Sequence, residues 1–531
     1  MMRLGKAGLE SLKVPTVLLL KPNKDFVAFG SEAEEQYTNL LQNDPDEAQK
    51  WYYFSKFKMQ LYKNKDLSKS MMLKDVTGEK EMKAVDVFAY CIEHIKDIMF
   101  KRAKDQVVEL QEEDVHWVVT VPAIWDEAAR QFMIDAAGKA GIDPDRLTLA
   151  LEPEAAALCC KSLELQKGKE GRHASLKSFD VGARFLVVDL GGGTVDITSN
   201  EVLASGQLKE IHSASGGPWG GNSINAAIWN FFEKVFGKSA VERFMKEDKE
   251  DYLEFSRNIE IKKRIILGDT IVFEIPGTLL MEAKREYQNG LSPEYSEGIK
   301  LVRNKLKVQS CIIKKIFEEG IQTVKAYVAD LLQKPELAGV STILLVGGYA
   351  SCDLLKDSMK KAFSRMTVIC PLEPDVIVLK GAVMMGHMDT PIVGRIAKVH
   401  YGIAIVAGAY TIDSFDRSFK PLTSGEEEFY TIIRKGAPIK VNEVVSEYDF
   451  PIQFEKTEAV INIYTSDDVT PPTRITKDNC RKIGNIRIKL PMYRRATQLK
   501  IGISNNETEF KVVARDAHTG KCFSGVCRFL N

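Results

Sequence analysis

The chain has no surplus of either charge. Among its 531 residues, Lys and Arg together number 73 and Asp and Glu also number 73, so the formal net charge at pH 7 is zero. General binding to nucleic acid or to an anionic membrane requires a basic surplus. The composition therefore argues against both classes of partner.

Metal-type cysteine pairs and long apolar runs are also lacking. Nine cysteines are scattered without a CxxC pair, which predicts reduced thiols that mostly fill cores. The apolar run 14–20 contains a proline and is too short to cross a bilayer. We therefore expect a cytoplasmic, monomeric protein without a membrane span, and the length predicts three or four domains.

Glycine is concentrated in the stretch VVDLGGGTVD, residues 187–196. A buried strand is predicted to end on an acid and to run into three glycines. Glycine lets backbone N–H groups approach a ligand without a Cβ in the way, and a row of such groups binds phosphate. A plain glycine hairpin is the alternative, but the two acids and the threonine offer the hard oxygens that Mg²⁺ prefers. The residues of this predicted phosphate site are Asp189, Gly191, Gly192, Gly193, Thr194 and Asp196.

Known phosphate loops of other types do not match this stretch. No Lys-Ser/Thr pair follows the glycines, and their spacing is not GxGxxG, so it is neither a Walker loop nor a dinucleotide fingerprint. Val195 and Ile197 alternate with polar residues, which predicts a second strand and hence a hairpin.

Another acid lies at a predicted strand–helix junction. The alternating run 147–151 leads directly into Glu152-Pro153, and proline is favoured at the first position of a helix. Functional groups of open α/β sheets lie where strands end. Glu152 is therefore a candidate site residue, with a helix-capping glutamate as the alternative. A strand at 117–121 and a helix from the N-cap Asp126 to Gly141 precede it.

Glycine pairs and acids recur at other predicted strand ends. Gly220-Gly221 precede a helix, Gly347-Gly348 follow the buried strand 343–346, and Asp375 is predicted to cap a helix that runs to about residue 388. These residues fall in two halves of the first 390, so a single cleft between two α/β lobes would collect them.

Two charged segments allow more than one interpretation. Aromatic and basic residues alternate over 51–62, which is found in nucleic-acid sites but more often in half-buried helices with lysine stems along the surface. Glu260, Lys263 and Arg264 share one helical face, and an intrahelical set of ion pairs is the simplest interpretation.

From about residue 396 the pattern changes to period-two alternation with regular turns. Apolar residues alternate with polar ones over 486–490, 499–503 and 510–514. Such alternation predicts an antiparallel β domain.

These motifs, in this order, resemble the 70-kDa heat-shock protein family, and within it the divergent "heat shock 70 kDa protein 12" branch. VVDLGGGTVD resembles the family's second phosphate loop, and VVTVPAIWDEAARQFMIDAAGKAGI with LALEPEAAAL resembles its interlobe segment. WGGNSIN, LLVGGYASCDLL and EPDVIVLKGA resemble its phosphate and adenosine regions. GNIRIKLP and IGISNNETEFKVVARDAHTGK are similar to its peptide-binding β-sandwich.

The resemblance implies an α/β fold: an actin-like two-lobed ATPase domain followed by an antiparallel β-sandwich. Lobe I would span about 1–183 and lobe II about 184–374, a helix at 375–390 would return to lobe I, and the sandwich would span 391–531 without the family's helical lid. The implied ligands are ATP or ADP with Mg²⁺, and an unfolded or extended peptide or a protein partner would bind the β domain. The implied role is that of a stress-response chaperone.

The resemblance also assigns roles to residues. Asp189 would hold Mg²⁺ through water, Asp196 would order the site, Glu152 would orient the attacking water, and Lys58 (or Lys56) would place charge beside the γ-phosphate. Positioning and charge stabilisation of this kind suit phosphoryl transfer. The remaining assignments are phosphate contacts for Gly191, Gly192, Gly193, Thr194, Gly220 and Gly221, adenosine contacts for Glu260, Lys263, Arg264, Gly347, Gly348 and Asp375, and an interlobe relay through Pro122 and Arg130.

Three departures from the family pattern concern the nucleotide. Ser351 stands where the family usually has an arginine stacked on adenine, a loss worth about 1 kcal/mol, and Leu267 replaces a serine. Nothing in residues 1–50 resembles the family's first phosphate loop. We expect truncation as the reason, in preference to a divergent member that no longer hydrolyses ATP.

Three functions remain open on the sequence. The first is an ATP-binding chaperone-like protein whose β domain takes extended peptide by strand-like hydrogen bonds. The second is a scaffold that binds partners without turnover, which the lack of a first phosphate loop favours. The third is a small-molecule kinase of the same superfold, which the C-terminal β domain disfavours. Likeness of fold alone does not separate the first two.

Overall fold

A computed structural model describes most of the chain. The described residues are 13–64, 67–106, 109–162, 179–263, 269–293, 297–388, 391–405, 410–412, 419–421, 427–441, 443–452, 458–489, 497–505, 510–516 and 520–526.

The described residues form thirteen α-helices. In order, α1–α13 are Ser31–Asn43, Pro45–Ala48, Lys58–Lys63, Ala84–Asp105, Glu127–Lys139, Glu152–Ser162, Gly221–Phe236, Lys238–Glu247, Lys249–Lys262, Gly277–Glu286, Ser310–Leu331, Asp353–Ala362 and Ile377–Met385.

The same residues form twenty-seven strands. In order, β1–β27 are Val17–Leu20, Phe26–Phe29, Tyr52–Ser55, Met72–Lys74, Glu81–Lys83, Trp117–Val121, Leu147–Leu151, Arg184–Leu190, Val195–Val202, Leu208–Gly217, Thr270–Glu274, Ile299–Val302, Lys305–Gln309, Val340–Val346, Thr367–Ile369, Ile392–Ile396, His400–Ile405, Tyr410–Ile412, Phe419–Pro421, Tyr430–Ile433, Pro438–Lys440, Val444–Ile452, Glu458–Ser466, Arg481–Lys489, Thr497–Asn505, Phe510–Asp516 and Cys522–Val526.

A seven-stranded mixed sheet with the order β15-β14-β8-β9-β10-β16-β21 forms the middle of the α/β region. Alternate residues of β8 belong to different cores. Leu186 and Val188 pack with residues of α7 and α11, whereas Phe185 and Val187 pack with residues of α6 and α13. Helices therefore cover both faces of this sheet, which explains why β8 is a continuous apolar run.

Smaller sheets precede the seven-stranded sheet in the chain. β2-β1-β3 and β4-β5 are antiparallel, whereas β6 and β7 form a parallel pair. The helix α5 between β6 and β7 begins as predicted, because the side chain of Asp126 accepts a hydrogen bond from Ala129 N at 2.8 Å. Gly141, just beyond this helix, has a φ of +80°, which glycine adopts without strain.

Two strands from beyond residue 391, β16 and β21, belong to the seven-stranded sheet. β16 pairs in parallel with β10, and β21 pairs antiparallel with β16. The seven-stranded sheet thus contains strands from both sides of the predicted division at 390/391. The predicted domain bounds stay predictions.

The remaining C-terminal strands form antiparallel sheets, as the sequence predicts. Two of these sheets have four strands each, with the orders β20-β17-β23-β24 and β22-β25-β26-β27. Ile403 and Ile463 of the first share one hydrophobic core with Leu499, Ile501 and Val512 of the second.

Two local predictions are wrong. Residues 51–62 are not one helix: Tyr52–Ser55 forms β3, which pairs with β1, and only Lys58–Lys63 is helical. The stacking of Tyr53 on Tyr37, with ring centroids 4.2 Å apart, favours the strand. Asp375 does not cap a helix, because Glu373 O binds Val376 N in a separate turn and α13 begins only at Ile377.

No helix in the described ranges is long and apolar enough to span a membrane. The eight cysteines within those ranges are free thiols, and Cys91, Cys159 and Cys160 are buried.

Candidate functional site

The hairpin formed by β8 and β9 places two acids opposite each other. Asp189 and Asp196 are register partners of the two strands, and both are buried, with 5% and 1% of their surface exposed. Burying two carboxylates side by side is costly unless a cation or hydrogen bonds compensate them. This pair therefore indicates a site for positive charge.

The glycine loop between the strands is bonded to the start of α7 by its carbonyl groups. Gly191 N donates to Thr194 O at 2.9 Å and closes the turn, while Gly191 O and Gly192 O accept from the N–H groups of Gly221 and Asn222. Gly220 packs so closely on this loop that an added Cβ would lie 2.7 Å from two of its carbonyl oxygens. The two glycine motifs predicted from the sequence are thus in direct contact.

The outward groups of the loop remain available to a ligand. Among the described contacts, the N–H groups of Gly192 and Gly193 donate to no protein acceptor. A Cβ added at Gly192 would meet no atom within 4 Å. At Gly193 a Cβ would instead collide with the Met59 side chain, so the open space lies at Gly192. Free N–H groups in a glycine loop form the kind of nest that binds phosphate.

A lysine and a glutamate from the first part of the chain complete the polar cluster. Lys58, at the start of α3, donates to Glu152 Oε1 at 2.7 Å, and Glu152 begins α6 directly after β7. The Lys58 side chain is 41% exposed, and its Nζ lies 5.7 Å from the centroid of the Trp125 ring. Lys56 instead faces Glu34, so of the two predicted lysines Lys58 belongs to this cluster.

The electrostatics of the cluster are dominated by its carboxylates. Burial, and after it the charge of Glu152, raises the pKa of Asp189, and the same two causes raise the pKa of Asp196 to about 6. Burial also lowers the pKa of Lys58, but the attraction of Glu152, Asp196 and Asp189 outweighs it and the pKa is raised overall. Perturbed pKa values in a cluster of buried, interacting charges are common at functional sites.

A hydrated Mg²⁺ ion fits this donor set. The cluster holds three carboxylates, and Mg²⁺ prefers oxygen ligands while it keeps several waters. Within the described residues no three His, Cys, Asp or Glu side chains converge to hold a metal ion directly. Because Mg²⁺ keeps several of its waters, these carboxylates would hold the ion through water.

The end of β14 lies against the same acids. Val346 is the register partner of Asp189, and the next residue, Gly347, has a φ of +87° and leaves no room for a Cβ beside the Asp189 carboxylate. Gly347 N donates to Pro374 O at 2.7 Å, which places the neighbouring Asp375 at this strand end. A Cβ at Gly348 would meet open space.

A second polar group lies beside the start of α7. Lys263 donates to Gly221 O at 3.2 Å and pairs with Glu260 at 2.6 Å, and Asn225 donates to the same Glu260 at 2.8 Å. A Cβ at Gly221 would lie 3.6 Å from Cβ of Tyr349. The intrahelical ion pair expected from the sequence is present, and it also contacts the glycine motif.

Some predicted residues lie outside the carboxylate cluster or outside the described residues. Arg264 and Leu267 fall outside the described residues.

The two predicted relay residues lie on either side of the start of α5. Pro122 follows β6, and Arg130 of α5 donates to Ala123 O at 3.4 Å and pairs with Glu127 at 3.0 Å. Between them Ile124 N donates to Asp196 at 2.8 Å. Both predicted relay residues thus flank a turn that binds a site carboxylate.

Sequence reasoning missed three neighbours of the site. Asn225 and Tyr349 follow the predicted glycine pairs by four residues and one residue, so proximity in the chain was an available signal. Met59 directly follows the predicted Lys58, but its packing on Gly193 joins two distant segments of the chain, and no sequence pattern indicated that contact.

The described fold and site define a class: a mixed α/β protein with a phosphate-type glycine hairpin, a carboxylate cluster and C-terminal antiparallel sheets. Comparison with known proteins agrees with this class. The family model described as Hsp70 protein matches residues 44–419. The chain belongs to the Hsp70 family.

Curated relatives extend the similarity along the chain. Human heat shock 70 kDa protein 12A is 29% identical, with 99% of this chain and 87% of that protein covered. Human heat shock 70 kDa protein 12B is 27% identical, over 99% and 86%. The chaperone protein DnaK of Mycoplasmopsis synoviae is 25% identical over 63% of this chain and 50% of its own length.

Proposed function

We propose that this protein is an ATP-binding, chaperone-like member of the Hsp70 family with an actin-like nucleotide cleft. The observation that supports the proposal most strongly is the convergence of the Gly191–Thr194 loop, the Lys58–Glu152 pair and Gly347 around Asp189. Phosphate, magnesium and adenosine contacts would then belong to a single site. The proposal places the protein in the cytoplasm.

Each group in the cleft has a separate task in this proposal. When bound, Mg·ATP supplies the phosphoanhydride bond and the cation that offsets negative charge. The N–H groups of Gly192 and Gly193 hold phosphate oxygens, and Lys58 places positive charge beside them. Glu152 would orient a water molecule, and Asp189 and Asp196 would hold the metal ion through its bound waters. Positioning and charge stabilisation carry most of the catalysis of phosphoryl transfer.

The same proposal gives the C-terminal sheets a binding role. Antiparallel sheets with open edges bind extended chains through backbone hydrogen bonds and side-chain pockets. An unfolded or extended peptide, or an extended segment of a protein partner, would bind there, and nucleotide state would alter its affinity. A scaffold that binds nucleotide without turnover is the second candidate, because likeness of fold alone does not separate it from an ATPase.

Thermal unfolding with and without Mg·ATP tests nucleotide binding. A ligand at about 100 times its dissociation constant adds about 2.7 kcal/mol of stability, so we expect a higher melting temperature with Mg·ATP than with Mg²⁺ alone. An unchanged melting temperature at millimolar Mg·ATP would contradict the proposal.

Hydrolysis separates the ATPase from the scaffold. We expect Glu152→Gln to lower the rate of phosphate release by about 100-fold or more while the Mg·ATP-induced rise in melting temperature is kept. Glu319→Gln, at an exposed position of α11, is the matched control and should behave as wild type. Binding without release by the wild type would favour the scaffold.

A further inference from the structure

A buried ion pair joins β16 to the helix that carries Glu152. Arg395 Nε lies 3.0 Å from Glu154 Oε1, and Arg395 Nη2 lies 2.9 Å from Glu154 Oε2. The two side chains are 10% and 2% exposed. A bidentate pair of this kind fixes both the distance and the plane of its two groups.

The same strand also binds an acid of the seven-stranded sheet. Ile396 N donates to Glu210 Oε2 at 2.7 Å, and Glu210 is 5% exposed. The charged groups that face Arg395 are Glu154, Glu210 and Glu127, and Lys398 faces Glu210. β16 therefore supplies the groups that compensate one buried carboxylate from α6 and another from β10.

The geometry of α6 connects this pair to the candidate site. Glu152 and Glu154 both lie in the first turn of α6, so a shift of one moves the other. Without Arg395, the Glu154 carboxylate would be buried beside Glu210 without its bidentate partner. The first turn relieves such a charge by moving toward water, and this movement carries Glu152 away from Lys58.

We propose that Arg395 is a positioning residue for Glu152 and acts through Glu154 and the first turn of α6. The inference rests on the proposed ATPase function for its catalytic consequence. Its structural part, the fixing of the first turn, stands without nucleotide.

Arg395→Met in the full chain tests both parts. Without nucleotide, we expect the amide hydrogens of residues 152–158 to exchange about tenfold faster than in the wild type, because the first turn opens locally. In single-turnover hydrolysis, we expect a loss of about 100-fold in rate, with the Kd of Mg·ATP within about twofold because the phosphate loop is untouched.

The double variant Arg395→Met with Glu154→Gln is the rescue control, since it removes the buried charge together with its partner. We expect exchange and hydrolysis to return to within about threefold of wild type. A pair that only stabilises the fold would lower the melting temperature without this rescue of rate. Wild-type exchange of residues 152–158 in Arg395→Met would overturn the proposal.

The outcomes also separate this inference from the proposed function. If the wild type binds no Mg·ATP, the proposed function fails, while the exchange measurement still decides whether Arg395 fixes α6. If the wild type hydrolyses ATP and Arg395→Met does so at the same rate, the proposed function stands and the positioning role of Arg395 is refuted.

Discussion

At the scale of residues, the site is defined by an imbalance of charge. Asp189, Asp196 and Glu152 face one another, and the cations that act on Asp189 are Lys58 and Lys13. Raised pKa values of both aspartates are the electrostatic result of burial and of this crowding. A bound divalent cation would lower the cost of ionising them, so the imbalance favours a metal-dependent ligand.

This imbalance predicts a pH dependence of stability. The folded protein holds protons on Asp189 and Asp196 that the unfolded chain releases near pH 4, so their contribution to the free energy of unfolding is complete below that pH. The contribution is lost as the pH rises through the folded-state values, about 6 for Asp196 and higher for Asp189. Without Mg²⁺, the wild type should therefore lose on the order of 1–3 kcal/mol from this source between pH 5 and 8.

Asp189→Asn should remove much of that loss and raise the free energy of unfolding at pH 8. Urea denaturation at pH 5, 6, 7 and 8 measures the effect, and Asp357→Asn, at an exposed position of α12, is the matched control. Equal pH dependence in Asp189→Asn and wild type would show that the acid is not held in this environment.

Residue patterns predicted most of the groups at the site but not their partners. The glycine hairpin, Glu152 at its strand–helix junction and the pair of Glu260 with Lys263 are local features, so spacing in the chain was sufficient. The choice of Lys58 over Lys56 and the packing of Met59 on Gly193 depend on contacts between distant segments. No local pattern records such contacts.

At the scale of elements, the position of α6 follows from its packing with α13. Gly381 of α13 lies so close to Ala155 that an added Cβ would collide with the Ala155 backbone. The two helices share a core with Phe185 and Val187 of β8. Glu152 is thereby fixed relative to the strand that ends on Asp189.

We predict that Gly381→Ala lowers the free energy of unfolding by about 1–3 kcal/mol, because overpacking forces the two helices apart. Chemical denaturation measures the loss. Gly138→Ala on α5 is the matched control, since an added Cβ there meets no atom within 4 Å, and it should be neutral or stabilising by about 0.5–1 kcal/mol. Equal stability of the two variants would contradict the close packing of α13 on α6.

Helix and strand type was predictable where one period dominates. The period-two alternation of the C-terminal region and the single apolar face of α5 gave the observed elements. The prediction of a helix over residues 51–62 failed because aromatic and basic residues occur in both helices and strands. Pairing of β3 with β1 favours the strand. The prediction that α13 starts at Asp375 failed because a separate turn at 373–376 precedes the helix.

At the scale of the whole molecule, order along the chain predicted the family but not the junction of its parts. The sequence of motifs indicated an α/β region followed by antiparallel sheets, and residues 44–419 match the Hsp70 family. The addition of β16 and β21 to the seven-stranded sheet was not predictable, because their alternation is equally typical of either region.

The central claim is that the open face of the Gly191–Thr194 loop binds the phosphates of Mg·ATP. Gly192→Val tests it most directly. The free protein has space for the new side chain, but that side chain would occupy the space that the phosphates need. Calorimetric titration of Mg·ATP should show binding by the wild type and by Gly138→Val, and a loss of at least about 100-fold in affinity for Gly192→Val, or about 2.7 kcal/mol. Unaltered Mg·ATP affinity in a folded Gly192→Val variant would contradict the account.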